Sequence, residues 1–250
     1  MTSLISLWLD DYERQARLAP GVLALFPIAV VAVVYGLRSS PLATVLSSLL
    51  FLAGGPLLLA ESVRHQGKRV QAKIWALWRG KPTSRKLRLR EPDQNTVRRE
   101  AWRSAVSLVT GIELLSRRAE KGNPQRADET IELAVSKLRN RTRDAKKFLL
   151  VKKENRSYGF QRNLYGIRWF GRIVSVMTLV ALFIYLLWLY QSSGWRAIDY
   201  MSIVAVATSV AFLIFWLFFP SLNRVKSAAD TYADEILNAS MALAEEKSSG

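Results

Sequence analysis

Two stretches of this chain concentrate residues able to hold a charged or aromatic ligand. Ser84 to Arg90 reads SRKLRLR and gathers Arg85, Lys86, Arg88 and Arg90 into one basic patch. Asn155 to Arg172, NRSYGFQRNLYGIRWFGR, interleaves Arg156, Arg162, Arg168 and Arg172 with Tyr158, Phe160, Tyr165, Trp169 and Phe170. Cationic side chains attract phosphate, either on an anionic leaflet at roughly 1 kcal/mol per residue or along a nucleic acid. Aromatic rings set between arginines suit stacking on unpaired bases. The same mixture fills the belt where a membrane-spanning helix meets the headgroups. Because apolar runs flank the basic region, the lipid reading is preferred. Arg85, Lys86, Arg88, Arg90, Arg162, Arg168, Trp169 and Arg172 are expected at the membrane interface, against lipid headgroups, with nucleic acid as the lesser alternative.

Residue types for catalysis are sparse. The chain has no cysteine and a single histidine, His65, which removes thiolate nucleophiles, Cys-based zinc sites and paired imidazoles. No Gly-rich phosphate loop, zinc-ligand spacing, His-containing triad or Asp-x-Asp cluster occurs. Acids such as Asp128, Glu129 and Glu132 sit beside basic residues, as solvated helix faces do. The expectation is a non-enzymatic protein without cofactor or metal.

The elements that position these stretches are mostly membrane spans. Glu61 to Arg172 holds 29 of the 36 Lys and Arg residues and 11 of the 20 acids, a net +18 between two pairs of apolar runs. Leu18 to Leu37 and Leu42 to Ala60 form the first pair, Ile173 to Tyr190 and Tyr200 to Phe219 the second. At ~1.5 Å per residue, some 20 apolar residues cover the bilayer hydrocarbon. Pro27 and the step Gly54, Gly55, Pro56 are candidate hinges, since proline removes a helix hydrogen bond and glycine loosens or narrows a helix. Residues 1–17 read as an amphipathic interfacial helix, with Leu4, Ile5, Trp8 and Tyr12 on its apolar side.

Inside the basic segment, two helices carry heptad-like seams. The first seam is Val97, Ala101, Ala105, Leu108, Ile112, Leu115 and Ala119, after a cap at Asp93 or Asn95; the second is Ile131, Val135, Leu138, Thr142, Ala145 and Leu149. Between them Gly122 supplies a C-cap, Asn123 an N-cap and Pro124 a first helical residue. Gly80, Lys81 and Pro82 stop the helix that extends the second span, and glycines 159, 166 and 171 are expected to break helical periodicity. A tail from Ser221 to Lys247 repeats the seam at Val225, Ala229, Tyr232, Ile236, Ala239 and Leu243, and is expected to cover the hairpin.

The resulting fold class is all-α: a polytopic membrane protein with four transmembrane helices in two hairpins. A helical cytoplasmic domain is built from an antiparallel α-hairpin plus extensions of spans two and four. The expected divisions are 1–17, 18–60, 61–172, 173–219 and 220–250. Positive charge inside places both termini and the basic segment in the cytoplasm. No ionisable residue lies in a span, which argues against a pump or coupled transporter.

This layout, two membrane hairpins around a basic helical segment, resembles the small bacterial four-transmembrane effectors of anti-phage systems. The resemblance implies an inner-membrane protein that oligomerises and permeabilises the membrane, or forms a channel, on a cytoplasmic signal from a ligand or protein partner. The other reading is a membrane anchor or adaptor whose basic domain recruits a protein partner or nucleic acid.

Overall fold

The computed structural model describes residues 11–35, 55–91, 95–195 and 198–249. Among these the chain is helical without strands, and it divides into two compact units. Unit one comprises Met1–Val70 and Gly159–Arg224; unit two comprises Gln71–Tyr158 and Val225–Gly250. Glu61–Val70 and Gly159–Arg172, read from charge as part of the basic segment, therefore belong with the apolar helices.

Three helices of unit one are long and apolar enough to cross a membrane: α1 (Glu13–Val34), α8 (Arg168–Ser193) and α9 (Tyr200–Phe218). The expected span over 42–60 lies outside the described residues up to Gly54; Gly55 and Pro56 open helix α2 (Gly55–Leu77). The expected interfacial helix over 1–17 is described only from Asp11. There the chain is already helical and runs without a break through a π-helical turn, Glu13–Leu18, into the first span. Pro27 is buried inside α1, which continues through it.

The three apolar helices pack against one another through mainly small residues. α1 buries Pro20, Gly21, Ala24 and Pro27; α8 buries Gly171, Val174, Ser175, Thr178 and Leu182; α9 buries Ser202, Ala205, Ser209 and the large Trp216, which sits against Gly171. Large residues such as Val176, Phe183, Ile184, Ile203 and Phe218 point outward and are exposed. This is the reverse of a water-soluble helix, and it fits helices that associate by close backbone approach in lipid. Three buried span hydroxyls are satisfied within their own helices. Ser175, Thr178 and Ser209 donate to the carbonyls of Gly171, Val174 and Ala205, each four residues back, at 2.8 Å.

Glycines 159 and 171 lie inside helices, whereas Gly166 ends one. α7 runs from Leu149 to Gly166, and α8 starts at Arg168, five residues before the expected start of the third span. All three glycines are contact points. A Cβ on Gly171 would fall inside the Trp216 indole, and one on Gly159 would meet the Tyr12 hydroxyl at 2.9 Å. A Cβ on Gly166 would meet the Gly67 nitrogen at 2.9 Å. Where α2 and α7 touch, glycine faces glycine.

Unit two folds around Leu87, Trp102, Val106, Val109, Ile131, Val135, Leu138, Phe148, Ile236 and Leu237. Its helices are α3 (Pro82–Leu87), α4 (Thr96–Thr110), α5 (Arg117–Gly122) and α6 (Pro124–Arg141), with the ends of α2, α7 and α10 (Leu222–Ser249). The caps fall where polar residues place them: the side chains of Asn95 and Asn123 accept from the Arg98 and Arg126 amides at 2.9 and 3.0 Å.

The seams differ from expectation. α4 ends at Gly111, whose φ of +67° stops it, so Ile112, Leu115 and Ala119 are not on it. Its buried face is Arg99, Trp102, Arg103, Ala105, Val106, Val109 and Thr110, so Ala105 of the expected seam is buried while Val97, Ala101 and Leu108 are exposed. α6 ends at Arg141, so Ala145 and Leu149 fall beyond it; Ile131, Val135, Leu138 and Thr142 are buried. The tail helix contributes Ile236, Leu237 and Ala239 to this core, and Asn238 accepts from the Trp102 indole at 3.1 Å.

Candidate functional site

The patch Ser84–Arg90 spans the end of α3 and the loop after it, and an arginine–carboxylate network holds that loop. Arg88 donates from Nε and Nη2 to the two oxygens of Asp128 at 2.8 and 3.0 Å. Its Nη1 reaches Glu91 at 2.7 Å and the Arg79 carbonyl at 2.6 Å. Arg90 Nη2 reaches both oxygens of the same Asp128 at 2.8 and 2.6 Å, and the two-nitrogen fork of Arg88 fixes planes as well as distances. Burial works against the Arg88 charge, but its hydrogen bonds to the Glu91 and Asp128 carboxylates, with their negative charges, outweigh it and hold its pKa above the ordinary arginine value.

Glu120, with its side chain 1% exposed, closes the loop from below. It accepts from the Leu89 and Arg90 amides at 3.0 and 3.2 Å and from Arg90 Nη1 at 3.3 Å. Arg99 donates to the carbonyls of Arg88 and Glu91, both at 3.0 Å. Arg103 donates to the carbonyls of Leu87 and Leu115; burial lowers its pKa, opposed by nearby Glu120. Lys86 pairs with Asp234 at 2.8 Å and Arg85 with Glu91 at 3.4 Å.

All four cations expected at a lipid headgroup, Arg85, Lys86, Arg88 and Arg90, are thus paired with carboxylates of their own unit, and Arg88 is buried. Their partners lie up to 148 positions away in sequence, which is why charge spacing alone presents them as a free patch. Asp128, read as part of a solvated face, is the hub of the network.

Beside the network lies a cavity of about 650 Å³ lined by Trp78, Arg79, Arg85, Arg88, Arg90 and Lys226. Its wall includes the turn that ends α2, where Arg79 has φ +58° and Gly80 φ +136°. A non-glycine residue in the left-handed region costs on the order of 1–2 kcal/mol. Arg88 stabilises the turn through the Arg79 carbonyl, and Gly80 makes room for it, since a Cβ there would lie 2.7 Å from Arg88 Nη2. Among the described residues, neither Arg79 nor Lys226 has a carboxylate partner. The sequence reading passed over both, because one sits at a helix stop and the other on a distant tail.

From Gly159 onward the arginine–aromatic strip belongs to unit one, while Arg156 and Tyr158 belong to unit two. Arg162 is buried and donates to Asn163 Oδ1 at 3.1 and 3.0 Å. Arg168 lies 3.8 Å over the Tyr165 ring and donates to the Tyr165 carbonyl. Arg172 stacks on Trp169 at 4.6 Å and donates to the carbonyls of Trp216 and Leu217 at 3.0 and 3.2 Å. That places a cation at the C-terminus of α9, where unpaired carbonyls and the helix dipole favour it. Trp169 and the neighbouring Phe170 remain exposed, at 60% and 49%. Of the candidate hinges, Pro27 is enclosed by helix packing and Gly54 lies outside the described residues.

Asn163, which sequence reasoning missed, joins three helices of unit one. Pro20 has no N–H to give the carbonyl four residues back, and Asn163 Nδ2 donates to that Ala16 carbonyl at 2.6 Å. Its Oδ1 lies where a methyl on Gly67 would fall. Comparison with protein-family models, curated proteins and solved structures returned no match to the chain.

Proposed function

We propose that the chain is an inner-membrane effector that oligomerises and permeabilises the membrane, or forms a channel, when its cytoplasmic helices receive a ligand or protein partner. The observation that carries this reading is the character of the apolar helices. From Leu18 to Val34, Ile173 to Ser193 and Tyr200 to Phe218 they hold no ionisable residue, join through small residues and present bulky apolar faces. Such helices serve neither proton coupling nor ion binding, but they can associate with further copies. Unit two has its own core and a cation-lined cavity, as a receiving module would. Anti-phage defence is the setting that the architectural resemblance suggests, and the positive-inside rule orients the basic segment and both termini toward the cytoplasm.

Controlled expression in bacteria with a potential-sensitive dye tests the reading. Depolarisation and growth arrest are expected, with dye release from liposomes holding the purified chain. An intact potential in cells shown by immunoblot to carry the protein in the membrane overturns it. The second reading, a non-enzymatic anchor or adaptor, draws on the charge of unit two, 25 Lys and Arg against 15 Asp and Glu. It predicts a stable partner in a detergent pull-down without any loss of potential.

A further inference from the structure

We propose that the cavity beside the Arg79–Gly80 turn binds the phosphate groups of a small anionic ligand, carried by a nucleotide or by an anionic lipid headgroup. The cavity measures about 650 Å³, within the size range of small-molecule sites. Its lining holds five cations, Arg79, Arg85, Arg88, Arg90 and Lys226, against two carboxylates, Glu91 and Asp128.

These cations divide into two kinds. Arg85, Arg88 and Arg90 are anchored by Glu91 and Asp128, so they form a rigid wall with little freedom to reorganise. Arg79 and Lys226 are exposed and, among the described residues, pair with no carboxylate. Like charges gathered around one concavity repel one another, and a multiply charged anion relieves that repulsion while accepting forked guanidinium hydrogen bonds. Half-buried Trp78 adds a ring at the wall, suited to stacking on a base. The left-handed backbone of Arg79 is the second sign of a built site, because strained residues persist where the surroundings hold them. Here Arg88 holds the strained turn and also lines the cavity. Concavity favours a small ligand over a nucleic-acid strand, which needs a continuous groove.

This inference rests on unit two being the receiving module, and its test measures binding without any permeability readout, so the two can fail separately. The full chain in detergent micelles is dialysed to equilibrium against radiolabelled ATP and against pyrophosphate, and is also reconstituted in nanodiscs with and without phosphatidylglycerol. Retention of ATP or pyrophosphate is expected, with the Arg79→Gln/Lys226→Gln double variant weaker by about tenfold or more, as loss of charge-assisted contacts implies. Lys137→Gln, on an exposed face outside the cavity, should bind as wild type, and all variants should melt alike. Failure of both soluble probes, with phosphatidylglycerol retained by wild type and lost by the double variant, assigns the site to a lipid headgroup. Equal binding by wild type and the double variant overturns the proposal, as does failure of ATP, pyrophosphate and phosphatidylglycerol alike.

Discussion

Replacing Glu120 by glutamine keeps its shape and removes its charge, which isolates what one buried carboxylate does for unit two. Oε2 accepts the Leu89 amide, while Oε1 accepts the Arg90 amide and its guanidinium. Glutamine offers a single oxygen. Turned toward Arg90, it aims its NH₂ at the Leu89 N–H and at Arg103, whose Nη1 lies 3.8 Å from Oε2. A buried donor left without an acceptor costs about 1–3 kcal/mol. Breaking a buried ion pair from one side costs roughly 3–5 kcal/mol. Arg90 keeps Asp128, at 2.6 Å, so the lower end of that range applies and the loss should be about 3 kcal/mol.

Urea unfolding of the detergent-solubilised chain, followed by hydrogen exchange in α4 and α6, reads this directly. With a slope of about 1–3 kcal/mol per molar, the midpoint for unit two should fall by roughly 1–3 M. The matched control is Glu129→Gln on the exposed face of α6, expected to stay within about 0.5 kcal/mol of wild type. If the two variants shift alike, the network does not hold the loop, and the reasoning about Arg88, Arg90 and the cavity wall fails with it.

Gly67→Ala drives a methyl into Asn163 Oδ1 and to 3.2 Å from the Asn163 Cα; a loss of about 1–3 kcal/mol is expected, read as a lower melting temperature in detergent. Adding Asn163→Ala should recover part of that loss, because the overlapping oxygen is gone. Gly111→Ala meets no atom within 4 Å, so its cost is the left-handed backbone alone, about 1 kcal/mol, with no change in the packing of α4. Asp199 caps α9 by accepting from the Ser202 hydroxyl and amide, which hold its carboxyl below the ordinary aspartate range. A depressed carboxyl stabilises above its unfolded pKa and loses that contribution as pH falls through the folded value. Amide exchange at Ser202 should therefore quicken only below the ordinary aspartate range, and Asp199→Asn should abolish that pH dependence while keeping the cap.

Punctuation was legible in the sequence because it is local. Asn95, Asn123 with Pro124, and Gly80 act through neighbours within three or four positions, and each sits at the helix boundary its chemistry suggests. Three of the four expected apolar spans were legible for the same reason, since a run without charge declares itself. The seam of α4 was not, because two of its buried positions are Arg99 and Arg103, and a pattern counting only apolar residues selects Val97, Ala101 and Leu108 instead. Those arginines are tolerated inside because carbonyls from Leu87, Arg88, Glu91 and Leu115 receive their N–H groups. Gly166 ends α7 as expected, but glycines 159 and 171 were misread because a glycine that loosens a helix and one that admits a neighbour look identical until the neighbour is seen.

The same distinction between local and distant partners decides what the basic charge is for. Counted along the chain, Ser84–Arg90 is the densest positive stretch, yet carboxylates from positions 91, 120, 128 and 234 engage all four of its cations. What a ligand meets at that surface is set by the cations those carboxylates do not reach. Arg79 sits at the stop of one helix and Lys226 near the start of another, and no spacing rule connects them. The network does, because Arg88 braces the Arg79 turn and Arg88, Arg79 and Lys226 line one cavity. The buried pairs therefore give the patch its rigidity, and the two outlying cations give it a charge that no carboxylate among the described residues pairs. A surface built only of the paired residues would have the first property without the second, and would have no reason to prefer an anion.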